Sequence, residues 1–140
     1  MKLSKYFTYN ELTFSETAKR LKYTNAPQHK ELKSLTNTAQ NLDKVRELLG
    51  CPVIINSGYR TLAVNRAIGS SDNSQHVRGE AVDFRTHQYT PRQIVEMIKK
   101  SDIPYDQLIL EYESWVHISF SSRNRKQVLI IDNKGSRSFV

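Results

Sequence analysis

Between residues 29 and 49, apolar side chains return at every third or fourth position: Leu32, Leu35, Ala39, Leu42, Val45, Leu48 and Leu49. That period lays them along one face, and Gly50 supplies a stop, so the pattern predicts one long core-covering helix over 29–49. Upstream, "FTYNELTFSETAKRLKYTNAP" predicts a short turn or helix capped by Thr8 or Asn10. A second helix starts near Ser15 and ends before Asn25-Ala26-Pro27, because a proline disfavours helix at the residue before it. Beyond residue 50 the pattern changes. "PVIINSGYR" (52–60) reads as a buried strand running into a Ser-Gly break, and "TLAVNRAIG" (61–69) as a short helix ending at Gly69. The polar loop "SSDNSQHVRG" (70–79) leads to a strand, "EAVDFRT" (80–86). "TPRQIVEMIKKSDI" (90–103) is a second clear helix, with Thr90 as cap, Pro91 in its first position, and Ile94, Val95 and Ile98 on one face. "DQLILEY" and "SWVHISF" form a hairpin around a tight polar turn, and "KQVLIID" is a last strand closed by the turn "DNKG". Helices come first and a mostly antiparallel sheet follows, which is the α+β class. No repeat or linker divides the 140 residues, so one domain is expected, its N-terminal helices packed on a small sheet.

Composition narrows this picture. With 38% hydrophobic and 25% charged residues, the chain is globular rather than disordered. No run approaches the roughly 20 apolar residues of a membrane helix, so no membrane insertion is expected. The start, "MKLSKYFTYNEL", has basic residues but no apolar core behind them, so the expectation is cytoplasmic synthesis without a secretory signal. The single cysteine, Cys51, excludes an intramolecular disulfide and a zinc site built of several thiolates. Any zinc must then be held by histidines and carboxylates, while Cys51 itself reads as a small buried hydrophobe. A net charge of +7 favours a polyanionic partner, either nucleic acid or an anionic cell wall. The basic residues are spread along the chain, with a modest cluster at "RNRK" (123–126). No recognition helix, zinc-finger spacing or RNP-like motif accompanies them, so no specific nucleic-acid partner is expected.

Candidate chemistry centres on "NSQHVRGEAVDF" (73–84). His76 precedes a glycine turn, Asp83 lies in a strand, and His117 lies in the hairpin strand. Two imidazoles and one carboxylate with an open fourth position make a catalytic zinc site. Gly79 lets the loop turn sharply, so the next strand can return Asp83 alongside His76, on the face opposite Val82 and Phe84. Each residue also has an ordinary role open to it: a solvated loop histidine, an aspartate bonded to nearby backbone, a buried histidine with polar partners. Hydrolysis further needs a base. With a three-residue turn of Tyr112, Glu113 and Ser114, Glu111 faces Trp115 and shares a side with His117, whereas Glu113 sits at the turn tip in water. Glu80 is a weaker rival at a turn. Arg60, ending its strand, is placed to point into a cleft and to steady an oxyanion or a substrate carboxylate; a surface arginine is the alternative. His29 and His87 read as solvated.

These residues carry a resemblance. "SGYRTLAVNRAIGSSDNSQHVRGEAVDF" followed by "DQLILEYESWVHISF" resembles the zinc D-Ala-D-Ala carboxypeptidase family of peptidoglycan peptidases, which share S-G-[YF]-R, S-x-H-x-x-G-x-x-x-D and a late W-x-H. "FTYNELTFSETAKRL", the "NAP" break and "VRELLGCPVIINSGYR" resemble its short phage and prophage members, so the likeness covers nearly the whole chain. It implies a compact α+β fold with an antiparallel sheet floor and one zinc ion, held by His76, Asp83 and His117. It further implies that Arg60 holds substrate or the developing oxyanion. Ser74 would then lie near the substrate, Gln75 line the cleft, and Trp115 support its wall. Many relatives carry a glutamate three residues before the last histidine, and another branch a histidine two before it, but Ser114 and Trp115 occupy those positions here. The short members carry a glutamate at the end of the preceding strand, which implies Glu111 as acid/base, with Glu113 in reserve. The implied activity is zinc-dependent hydrolysis of a peptide bond in the stem peptides of bacterial peptidoglycan, of carboxypeptidase or endopeptidase (endolysin) type. The implied enzyme is a monomer that reaches the wall after holin-type release or from a virion. The unmatched acid/base position leaves open a non-catalytic, zinc-containing phage structural or wall-binding module of the same fold.

Overall fold

The capping signals become helix ends in the computed structural model, which describes residues 1–140. Thr8, rather than Asn10, caps α1 (Tyr9–Thr13) through a reciprocal capping box with Glu11, and Ser15 caps α2 (Glu16–Leu21). The long helix, α3 (His29–Leu49), stops at Gly50 in the left-handed region (φ 64°). Then follow β1 (Ile54–Ser57), α4 (Leu62–Ala67), β2 (Ala81–Arg85) and α5 (Pro91–Lys100). Thr90 and Gln93 close a second capping box on α5, with Pro91 in its first turn. The chain ends with β3 (Gln107–Glu111), β4 (Trp115–Ser119), β5 (Gln127–Asp132) and β6 (Gly135–Ser138).

The strands form one sheet in the order β1-β2-β4-β3-β5-β6. Period-two alternation gives it two unlike faces. Val82, Phe84, Leu108, Leu110, Val116 and Ile118 join Leu35, Ala39, Leu42 and Val45 of α3 and Ile94, Val95 and Ile98 of α5 in one core. The other face carries Asp83, directly opposite His117, with Ile109 on the far side of His117 and Glu111 opposite Trp115. The helices therefore bury one face and leave Asp83, His117 and Glu111 on the other. Cys51 is buried in the core, as its apolar setting predicts.

One expectation needs correction. "KQVLIID" is not the last strand: after the turn at 132–135 the chain continues as β6, antiparallel to β5. Its sequence, "GSRS", is exposed throughout and has no apolar alternation to announce it. It is held by the sheet ladder, and Arg137 pairs with Asp132 through two bonds of 3.0 and 2.8 Å. The sheet is mostly antiparallel, as expected; the exception is β5, which runs parallel to β3. The reason is local. β4 ends where β3 begins (Leu108 opposite Ile118), and a short connection sets Gln127 beside Gln107, the start of β3.

Candidate active site

Three backbone elements converge on Asp83. His117 is its direct cross-strand partner, so the two side chains stand together on the open face. Nδ1 of His117 lies 2.9 Å from Oδ1 of Asp83. His76 arrives from the loop between α4 and β2, and its Nε2 lies 3.3 Å from that same oxygen. The candidate ligand atoms of all three residues lie within 4.8 Å of one another. The imidazole of His76 is buried, and its Nδ1 is 2.7 Å from the Gly58 carbonyl. A carbonyl can only accept, so Nδ1 donates to it, and Nε2, which faces Asp83, is the ring nitrogen available to a metal ion. That tautomer, two imidazole nitrogens and one carboxylate at a single point fit a divalent ion such as zinc. Burial pushes the Asp83 carboxyl up, but His76 and His117 outweigh it and hold the group well below the usual carboxylate range. Burial also pulls the His117 imidazole down, and Asp83 outweighs that, so its proton affinity is raised.

The loop carrying His76 is tied from several sides. Gly79 adopts φ +76°, and a Cβ there would lie 2.6 Å from the Glu31 carbonyl oxygen of α3. Thr38 Oγ1 of α3 donates to the Gly79 carbonyl at 2.7 Å in a buried bond. The Arg60 N–H donates to the His76 carbonyl at 3.2 Å, and the Ser74 hydroxyl oxygen accepts the His76 N–H at 3.2 Å. Gly58 is pressed against α1: a Cβ there would lie 2.3 Å from the Leu12 carbonyl oxygen, so the residue that orients His76 must be glycine.

Glu111 lines a cleft of about 570 Å³ together with His117, Ser74, Gln75 and Ile109. Its Oε1 accepts the Trp115 indole N–H at 2.8 Å, leaving Oε2 uncommitted. Burial raises its pKa and the charge of Asp83 adds to this, against smaller opposing effects of His117 and Trp115. Glu113 stands at the turn tip, exposed, paired with Arg92 of α5 and outside this cleft. Tyr112 and Glu113 both take positive φ (55° and 52°), a tight reversal that sets Glu111 opposite Trp115.

The remaining predicted residues are distributed as follows. Ser74 and Gln75 line the cleft, but the Gln75 amide N–H is spent on Asp106 Oδ2 at 2.8 Å and its Oε1 is buried without a partner. Trp115 holds Glu111 rather than lining the cleft itself. Arg60 lines a different recess, with Ser57 and Glu16, and not the cleft of Glu111 and His117. Burial lowers its pKa, the charges of Asp83 and Glu111 oppose that, and its Nε is buried without a partner. Glu80 pairs with Arg78 at 3.1 Å; His29 and His87 are exposed.

Two residues escaped the sequence reading. Asn25 donates to the carbonyls of Thr13 (2.7 Å) and Tyr59 (2.9 Å) and accepts from the Thr61 N–H (2.9 Å), bracketing Arg60 on both sides. Asp106, fully buried, receives Gln75 and Arg125. The "NAP" break marked the first only as a helix stop, and nothing local marks the second.

No curated protein matches the chain significantly. The family model for peptidase M15 matches residues 5–119, a span that runs from the N-terminal segment through β4 and takes in Arg60, His76, Asp83, Glu111 and His117. With most of its length and its whole candidate metal cluster inside that match, the chain belongs to the peptidase M15 family of zinc D-Ala-D-Ala carboxypeptidase-like enzymes.

Proposed function

We propose that this peptidase hydrolyses a peptide bond in the stem peptides of bacterial peptidoglycan, using one zinc ion held by His76, Asp83 and His117. The observation that carries the reading is that His76 Nε2 and His117 Nδ1 meet on one oxygen of Asp83, beside a cleft lined by Glu111. When bound, the zinc supplies Lewis acidity toward water and toward the scissile carbonyl. Glu111, anchored at Oε1 by Trp115, takes the proton of the attacking water at Oε2 and returns it to the leaving nitrogen. Arg60 keeps a fixed positive charge near Asp83 and Glu111, where negative charge develops on the substrate oxygen. Ser74 and Ile109 offer a polar and an apolar wall to the peptide. A net charge of +7 suits a wall bearing anionic polymers. The likeness of the N-terminal segment to short phage and prophage members supports a phage or prophage lysin, monomeric, reaching the wall after holin-type release or from a virion.

The placement of Glu111 favours turnover over a non-catalytic wall-binding module. Purified peptidoglycan incubated with the zinc-loaded protein should yield new amine ends, read by mass, that vanish with chelator. The same digest identifies the bond cut. Glu111→Gln should lower the rate by about 10²–10⁴-fold. Digestion unaffected by chelator, or no new ends with one equivalent of zinc bound, would contradict the proposal.

A further inference from the structure

We infer that the end of the cleft nearest Gln107 is an anion subsite, built by Arg78, Arg123 and Arg125, that receives a carboxylate of the substrate; the inference rests on the peptidase reading above. All three arginines line the same cleft as Glu111 and His117. The anchor is Asp106, whose side chain is fully buried. Arg125 donates to both its oxygens, Nε to Oδ1 at 2.8 Å and Nη2 to Oδ2 at 2.9 Å, while its own backbone N–H donates to Oδ1 at 3.1 Å. Gln75 donates to Oδ2 at 2.8 Å, and Arg123 Nη2 lies 3.4 Å from the same oxygen. A fork held this firmly, with its Nη1 donors uncommitted, is set for a second planar acceptor.

The charge balance points the same way. Arg78 is offset by Glu80 at 3.1 Å, and Asp106 offsets one of Arg123 and Arg125, so one positive charge is left over. The backbone is strained to place them: Asn124 and Lys126, on either side of Arg125, take positive φ (41° and 52°).

The register gives a scale. Ile109 lies opposite His117, and Gln107 lies two positions before it on the same face, about 7 Å at the rise of an extended strand. An extended peptide with its scissile carbonyl near His117, running along β3, therefore brings a carboxylate about two residues away to these arginines. The recognised chemistry is a free carboxylate, not a neutral carboxamide.

The test uses one synthetic stem peptide in two forms, free acid and fully carboxamidated, titrated calorimetrically into zinc-loaded Glu111→Gln protein. The free acid should bind at least about tenfold more tightly. Arg125→Gln strands the buried Asp106 carboxylate and endangers folding, so the decisive variant is Arg78→Gln with Arg123→Gln, whose side chains are about half exposed. In that variant, made in the Glu111→Gln background, most of the preference should disappear. Equal binding of the two forms, no binding of either, or a preference that survives the double substitution would overturn the subsite. Failure of the enzyme reading looks different: protein with Glu111 intact cuts neither form, although the acid preference and its loss on substitution are both present.

Discussion

In the proposed reaction Glu111 is the base, and its environment makes a signed prediction. Burial raises its pKa above the usual glutamate value and Asp83 reinforces this, while the Trp115 indole N–H, bonded to the charged form, pulls it down. The carboxylate is the active form, so kcat/KM should rise with pH through the Glu111 pKa and fall away below it. Trp115→Phe removes the bond that favours the carboxylate, so that limb should move to higher pH. A bound cation acts on both proteins, so comparing their pH–rate profiles isolates the indole. A limb that stays in place, or moves to lower pH, would show that Trp115 does not hold the base. At this scale the sequence was informative where chemistry is local. His76 and Asp83 are seven positions apart around a glycine, and the tight turn after Glu111 places it on the His117 side. It was silent where a role depends on a distant partner. Asn25 reaches Tyr59 and Thr61 across 34 and 36 positions, and Asp106 reaches Gln75 across 31.

The elements matter through the one loop that is not an element. His76 is placed because its loop is wedged between the sheet and α3, with Gly79 as the contact. Gly79→Ala forces a side chain into left-handed backbone and a Cβ to within 2.6 Å of the Glu31 carbonyl oxygen, which belongs to a rigid helix. Handedness alone costs about 1–2 kcal/mol, and the contact adds to it. Thermal unfolding should fall by about 4–8 °C, and zinc affinity should weaken at least about tenfold as His76 shifts. Gly135→Ala is the control: its φ of +105° is also strained, but nothing lies within 4 Å of the added Cβ, and zinc binding should be unchanged. Equal zinc affinity in both variants would mean that the wedge does not position the ligand. Helix ends were readable because caps are local chemistry: Thr8, Ser15, Thr90 and Gly50 all act within their own turn. The exposed "GSRS" of β6 was not, because it buries nothing and follows its neighbour's ladder.

Across the whole molecule, one division organises the rest. The sheet gives one face to α3 and α5 and the other to the cleft, and alternation along β2, β3 and β4 sorts side chains between them. That division could be read from the strand pattern. The parallel pairing of β3 with β5 could not, since it follows from which end of β4 the chain leaves. The open face therefore brings together a strand aspartate, a strand histidine and a loop histidine that could hold one metal ion, and the most direct test counts that ion. Equilibrium titration of the purified protein should show one tightly held zinc. His76→Ala, Asp83→Ala and His117→Ala should each weaken it by at least about 10–100-fold without loss of the folded core. If any of these variants holds one equivalent as tightly as the unaltered protein, the metal centre described here is wrong.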